Sequence, residues 1–325
     1  MTVSHKPLAL VLGATGGIGG AVAERLLAEG WNVRAMNRDP DKARTVQPAL
    51  DWIKGDAMVA AEVVAAAQGT SIIFHGVNPP GYKNWEGLQM PMLASTVAAA
   101  RATGARILFP GTVYNYGPDA FPLITEASAQ TPITSKGAVR VKMEAALRAA
   151  SDEGVRVLIL RLGDFFGPRP GNNWLSQGLV KPGQPVRAVT YPGAMEIPHA
   201  LAYLPDAAET FVRLLDTELA NFEHFAMQGQ QINGHELVAA LEQVTGRKLP
   251  VRKLPWMALA AISPFNETMR EMLEMRYLWD RPVLMDNTRL VKKLGAEPLT
   301  PLADALYKAL VGLGCLNEDA VRNAA

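Results

Sequence analysis

Leu8-Ala9-Leu10-Val11-Leu12-Gly13-Ala14-Thr15-Gly16-Gly17-Ile18-Gly19-Gly20 is the stretch whose reading decides the fold. Five consecutive apolar residues bounded by glycine read as a short buried strand. The run over 17–29, stopped by Gly30, reads as a helix. Between the two, Gly13, Gly16 and Gly19 permit a tight turn and a close approach of backbone to an anion, while the helix N-terminus offers unsatisfied N–H groups. The reading is a dinucleotide pyrophosphate cradle, with Gly13, Thr15, Gly16, Gly17 and Ile18 as its contacts. A glycine turn that only packs the helix close is the alternative. A signal peptide with a small-residue cleavage site at Ala21-Val22-Ala23 is a poorer reading, because glycines crowd its apolar segment.

Working outward, strands are predicted at 31–36, 52–53, 71–75, 105–109 and 155–161, with helices at 40–46, 58–67, 85–103 and 132–152. Continuous apolar strands alternating with helices mean a parallel sheet covered on both faces, an α/β doubly wound architecture. The pattern changes after Gly163: residues 167–198 hold eleven Gly or Pro, too irregular for further βα units. Helical patterns return at 206–216, 234–245, 267–277, 287–294 and 302–313, with one strand around 223–227. We expect a dinucleotide-binding Rossmann domain over 1–165 and a smaller mixed substrate lobe over 166–325. The chain returns partly to the first domain around 195–216.

Among 325 residues, 32 Lys and Arg stand against 31 Asp and Glu, a net charge of +1 that gives no field to hold a polyanion. A nucleic-acid partner is therefore not expected. No stretch reaches the eighteen apolar residues of a membrane span, and no membrane partner is expected. Cys315 is the single cysteine and the five histidines are scattered, which leaves no metal motif and suits a reducing, cytoplasmic compartment.

The second strand ends Met36-Asn37-Arg38. An NAD site usually places a carboxylate here for the ribose 2′-hydroxyl, whereas a 2′-phosphate calls for Arg and no nearby anion. Asn37 and Arg38 thus point to NADP over NAD. Asp39 precedes Pro40 and suits a helix N-cap. Asp56, ending the third strand, is placed to bind the adenine. His75-Gly76-Val77-Asn78 ends the fourth at the same edge, with Gly76 and Asn78 as cofactor contacts and His75 read as packing.

These residues resemble the extended short-chain dehydrogenase/reductases, the NAD(P)-dependent epimerase/dehydratase family. The resemblance rests on Gly13 to Gly19, Gly55-Asp56, Thr112-Val113-Tyr114, the stretch from Arg161 through Leu162-Gly163-Asp164-Phe165-Phe166-Gly167 to Pro168, and the ending from Leu294-Gly295 to Pro301. It implies a Tyr-x-x-x-Lys pair on the helix after strand five, the tyrosine exchanging a proton with the substrate hydroxyl and the lysine holding the nicotinamide ribose. None of the seven tyrosines has a lysine four residues on. Instead Lys136 falls at the tyrosine position and Arg140 at the lysine position, with Thr112 as the nearby hydroxyl.

Two readings follow. In one, Lys136 is an amine acid/base, its pKa pulled below about 10.4 by Arg140 and by burial, or Tyr114 or Tyr116 supplies the proton. In the other, Lys136 and Arg140 only hold the cofactor, and the chain is a redox-silent NADP sensor or regulatory protein. The resemblance implies an oxidoreductase or epimerase acting on a small hydroxylated carbonyl compound or a (nucleotide-)sugar. It also implies a homodimer through helices 85–103 and 132–152.

On the substrate side, Asn172, Asn173 and Trp174 suit a polyhydroxylated ring, or form an ordinary loop. Arg169, Lys181 and Arg187 would meet a substrate phosphate, or are solvated charges. Tyr191, Glu196 and His199 lie where the chain returns to the first domain, and His199 is suited to titrate near neutral pH. Met269, Met272 and Met275 recur every three residues, a stripe that reads as core.

Overall fold

The computed structural model describes residues 7–79, 84–169 and 175–316. β1 (Leu8–Leu12) sits inside a seven-stranded sheet, and every residue after its first is buried. Around it run β2 (Asn32–Asn37), β3 (Asp51–Lys54), β4 (Ile72–His75), β5 (Arg106–Thr112), β6 (Val157–Leu162) and β7 (Phe222–Ala226). Their order is β7-β6-β5-β4-β1-β2-β3, parallel throughout. β1 is flanked by β2 on one side and β4 on the other, with Leu8 opposite Asn32 and Ala9 opposite Ile72. The order therefore reverses at β1, which opens a crevice at the carboxyl ends of these strands.

The two-residue period of β1 divides the core. Ala9 and Val11 face a layer formed by α1 (Gly17–Ala28) and α6 (Leu204–Leu215), among Val22, Leu26, Ala207 and Phe211. Leu10 and Leu12 face the other layer, which holds α3 (Ala60–Ala66), α4 (Trp85–Thr103) and α5 (Ser135–Asp152) through Val63, Leu93 and Met143. A short helix, α2 (Pro40–Val46), joins β2 to β3. The sequence expectation of a doubly wound α/β sheet is met.

A separate core surrounds Phe166, Tyr191, Tyr203, Leu237, Trp279 and Leu306. It is built on a three-stranded sheet of Gln230–Ile232, His199–Tyr203 and Asp164–Phe166, with helices Gly234–Thr245 and Leu302–Gly312. These are the smaller mixed sheets and helices beyond the main sheet.

Three expectations change. The strand read at 223–227 as part of the second lobe is β7, the outer edge of the main sheet, with Phe222 opposite Val157. A strand satisfies its backbone groups only beside a partner, and the open edge of β6 supplies one. The helix read from residue 132 begins at Ser135, because the Thr134 hydroxyl accepts from the Gly137 N–H at 3.0 Å and caps it there. The helix read over 267–277 ends at Glu274 and tightens into a 3₁₀ turn, Met275–Trp279. In consequence only Met275 of the methionine stripe is buried, and Met269 and Met272 are half-covered. Among the described residues no helix is long and apolar enough to cross a membrane, and no group of three or more His, Cys, Asp or Glu is arranged to hold a metal.

Candidate functional site

The glycine loop lies at the carboxyl end of β1, in the crevice. Gly13 adopts φ +86°, and a methyl group there would overlap the Gly76 carbonyl at the end of β4. Only glycine combines that dihedral with that approach. Gly16 caps α1 without a side-chain hydrogen bond, no acidic residue occupies the first turn, and Thr15 and Gly16 are exposed. The α1 N-terminus thus keeps its N–H groups and partial positive charge open to an anion. Ile18 is buried at the base of the loop.

At the end of β2, the Asn37 carboxamide oxygen accepts from the Asp39 N–H at 2.9 Å, and Asp39 accepts from the Lys42 N–H at 3.1 Å as the N-cap of α2. The Asp39 carboxylate is therefore committed to the helix. Arg38 is exposed and has no ion pair among the described residues. Asp56 is half-buried and accepts from the Met58 N–H at 3.0 Å. Asn78, past the end of β4, accepts from Trp85 Nε1 at 2.7 Å and Gln89 Nε2 at 2.8 Å, so α4 fixes its orientation. His75 is buried, bonded through Nδ1 to Thr96 Oγ1 at 2.8 Å and stacked on Phe109. Burial, with Arg140 adding to it, pushes His75 down to about 3, so the ring is neutral packing.

The helix and loop that follow β5 meet at this edge. Thr112 starts a 3₁₀ turn, Val113–Asn115, its hydroxyl accepting from the Tyr114 N–H at 3.3 Å. Gly137 packs so closely under this turn that a methyl group would overlap the Tyr114 carbonyl. Lys136 and the half-buried Tyr114 are thereby held on adjoining segments. Tyr116 is different: it is fully buried in the second core, and burial raises its pKa, so it is no proton donor to a ligand.

α5 sets Lys136, Arg140 and Glu144 on one face at four-residue spacing, all buried. Arg140 turns toward β5, donating to the Pro110 carbonyl at 2.5 Å and lying 4.8 Å over the Phe109 ring. Burial lowers it to about 10, Arg161 adding to the shift and Glu144 opposing it. Glu144 receives a bidentate pair from Arg161, Nη1 at 3.0 Å and Nη2 at 2.6 Å, and a third bond from Gln130 at 2.8 Å. Burial alone would raise Glu144, but the Arg161 guanidinium holds it below the usual carboxylate range. Arg161 also donates to the Thr112 carbonyl at 2.7 Å and to His224 Nε2 at 3.1 Å. The network thus ties α5, β5, β6 and β7 together under the site. Sequence reasoning missed Glu144, Gln130 and His224; a lone Arg in the buried run Val157–Leu162 was the available signal.

Arg169 is not free for a phosphate: it pairs with Glu24 on α1 and reaches Gln47. Lys181 and Arg187 are exposed. Glu196, also exposed, meets His235 at 3.4 Å. His199 is buried against Asp164. Asn172, Asn173 and Trp174 lie outside the described residues.

An open helix N-terminus beside a glycine turn, at the topological switch of a doubly wound sheet, defines a dinucleotide-binding protein. Residues 13–177, just over half of the chain, match the family described as NAD(P)H-binding, and the chain belongs to that family. It is 30% identical over 191 residues to dTDP-6-deoxy-L-talose 4-dehydrogenase (NAD(P)(+)) of Kitasatospora kifunensis, covering 54% of this chain and 58% of that one. It is also 30% identical over 177 residues to a 3-diazoavenalumate denitrifying reductase of a Streptomyces species, covering 50% and 57%. The match thus spans little more than half the length of these curated relatives. Among solved structures, UDP-glucuronic acid 4-epimerase of Bacillus cereus, in complex with UDP-glucuronic acid and NAD, superposes with TM-score 0.74 at 16% identity, over 94% of this chain and 98% of that one. UDP-glucose 4-epimerase of Bifidobacterium longum gives 0.72 at 16% identity, over 95% and 97%. These likenesses establish the shared fold.

Proposed function

We propose that this chain is an NAD(P)-dependent oxidoreductase of epimerase/dehydratase type, preferring NADP, that acts on a small hydroxylated carbonyl compound or a sugar. The observation that carries the reading is the open N-terminus of α1 at the same strand edge as the Lys136–Tyr114 junction. In this reading the backbone of Gly13, Thr15, Gly16, Gly17 and Ile18 cradles the pyrophosphate. Arg38 and Asn37 take the 2′-phosphate, and Asp56 takes the adenine. Gly76 and Asn78 flank the ribose edge. The cofactor, when bound, supplies or accepts the hydride.

The chain's own part is to orient the substrate and handle a proton. Lys136, buried beside Tyr114 and one helical turn from Arg140, serves as the acid/base or passes that task to Tyr114. Thr112 positions the loop, and Arg140 fixes α5 against β5. The division that goes with this reading is a cofactor domain over 1–165 and a substrate lobe over 166–325, the chain crossing back through 195–216. The dehydrogenase and reductase names of the two curated relatives favour hydride transfer.

Lys136→Ala tests the assignment. Turnover of NADPH with a carbonyl or sugar substrate is expected to fall at least about a hundredfold, as for removal of an acid/base group, while NADPH affinity stays within a few fold. Unchanged turnover would overturn the role of Lys136. NADPH binding with no turnover of any such substrate in the wild type would favour the redox-silent sensor.

A further inference from the structure

β5 ends at Thr112, half-buried at the carboxyl edge of the sheet. Its Oγ1 lies 3.3 Å from Asn115 Oδ1, and Asn115 Nδ2 donates to Gln130 Oε1 at 3.0 Å. Gln130 Nε2 in turn donates to Glu144 Oε2 at 2.8 Å, and Glu144 is paired with the fully buried Arg161. Asn115 and Gln130 thus link the Thr112 hydroxyl to a buried ion pair. The same guanidinium holds the Thr112 carbonyl at 2.7 Å.

The ion pair fixes the direction of every link. A carboxylate bonded to a guanidinium only accepts, so the Gln130 atom facing it is the amide nitrogen. Gln130 then turns its oxygen to Asn115, which must answer with its own nitrogen. That leaves the Asn115 oxygen facing Thr112, and an amide oxygen cannot donate, so the shared proton is the hydroxyl's. Thr112 Oγ1 also accepts from the Tyr114 N–H at 3.3 Å. A hydroxyl has one proton and two lone pairs, so one lone pair is all that Thr112 can offer a ligand. Asn115 is fully buried, and Thr112 is the only donor to its side-chain oxygen among the described residues. A ligand that took the Thr112 proton would strand that oxygen and bind about tenfold or more weakly for it.

We infer that Glu144, Gln130 and Asn115 are positioning residues that hold the Thr112 hydroxyl as an acceptor, so that Thr112 favours a ligand bringing its own O–H and gives no hydrogen bond to a carbonyl oxygen. The direction of the chain stands on the hydrogen bonds alone; its part in choosing a substrate rests on the oxidoreductase reading.

Two measurements on the full chain test it. Urea unfolding of Thr112→Val, Asn115→Leu and the double variant gives the coupling between hydroxyl and amide. Thr112→Val is expected to lower the folded-to-unfolded ratio about tenfold, and to cost almost nothing on the Asn115→Leu background. Because Asn115→Leu can fail to fold, Thr112→Ser, which keeps the hydroxyl, is measured beside Thr112→Val and should lose much less. No loss in Thr112→Val, an equal loss in Thr112→Ser, or an equal loss with and without Asn115 overturns the chain. Saturation-transfer NMR on the NADP-loaded protein then compares cyclohexanol with cyclohexanone. The alcohol is expected to bind about fivefold more tightly, the effect of one hydrogen bond. Gln130→Leu cuts the half-buried link and lets the Asn115 carboxamide turn over, which should bring that ratio to about one, a change that a merely structural role would not produce. Tighter binding of the ketone, a ratio unmoved by Gln130→Leu, or binding of neither probe overturns the role at Thr112. NADPH titration separates the two readings. Absence of NADPH binding with the Thr112–Asn115 coupling intact overturns the oxidoreductase reading alone, and NADPH binding without the coupling overturns this inference alone.

Discussion

Mild acid should weaken this fold through two histidines. His75 is held to about 3 by burial and by Arg140. His224 is held to about 3 by burial and by the Arg161, Arg289 and Arg148 guanidiniums, with Glu144 opposing. His224 also accepts from Arg161 Nε at 3.1 Å, a bond that a proton on Nε2 would break. In the unfolded chain each ring takes up a proton near pH 6.5. Between about pH 6.5 and 3 the unfolded state therefore binds one more proton per histidine than the native state, and stability falls as pH falls.

The slope is about 1.4 kcal/mol per pH unit for each ring. From pH 6.5 to pH 5 that amounts to about 2 kcal/mol per histidine and about 4 kcal/mol for both. Against a typical total of about 5–15 kcal/mol, the loss is large. Glu144 acts in a lower window: its depressed pKa contributes stability above about 4.5 that is lost as pH drops through its folded value. Urea unfolding at pH 7 and pH 5 measures the effect. The wild type should lose about 4 kcal/mol, His75→Gln and His224→Gln about 2 kcal/mol each, and the double variant little. An unchanged wild-type stability between those pH values, or a double variant that keeps the full slope, would refute the reasoning.

Arg38→Ala should weaken NADPH about tenfold or more and leave NADH almost unchanged, read by nicotinamide fluorescence; equal losses for both would remove Arg38 from the 2′-phosphate. Glu144→Ala should destabilise the protein by about 3–5 kcal/mol in urea unfolding, since it strands the fully buried Arg161, and Glu144→Gln by less because it can still accept. Gly13→Ala should abolish NADPH binding and lower the melting temperature, because the new methyl both meets the Gly76 carbonyl and strains a positive φ. A Gly13→Ala variant that binds NADPH normally would contradict the placement of the cradle.

The sequence by itself determined the sheet class, because apolar runs such as Val157–Leu162 bounded by glycine and alternating with helices leave few ways to bury both faces. It also located the glycine turn that we propose as the cradle, since the positive φ of Gly13 and its close approach to Gly76 follow from local backbone freedom. The commitment of Asp39 to capping was readable for the same reason, and Lys42 N–H bears it out. Tertiary structure alone decided what depends on distant partners. β7 joined the main sheet because β6 offered an open edge, a fact with no local signature. Arg169 proved tied to Glu24, 145 positions away in sequence, and so left the substrate side. Glu144 met Arg161, and His199 met Asp164 under Trp279, only once strands and helices converged. Charge pairing and burial are properties of three-dimensional neighbours, and local spacing along one chain records neither.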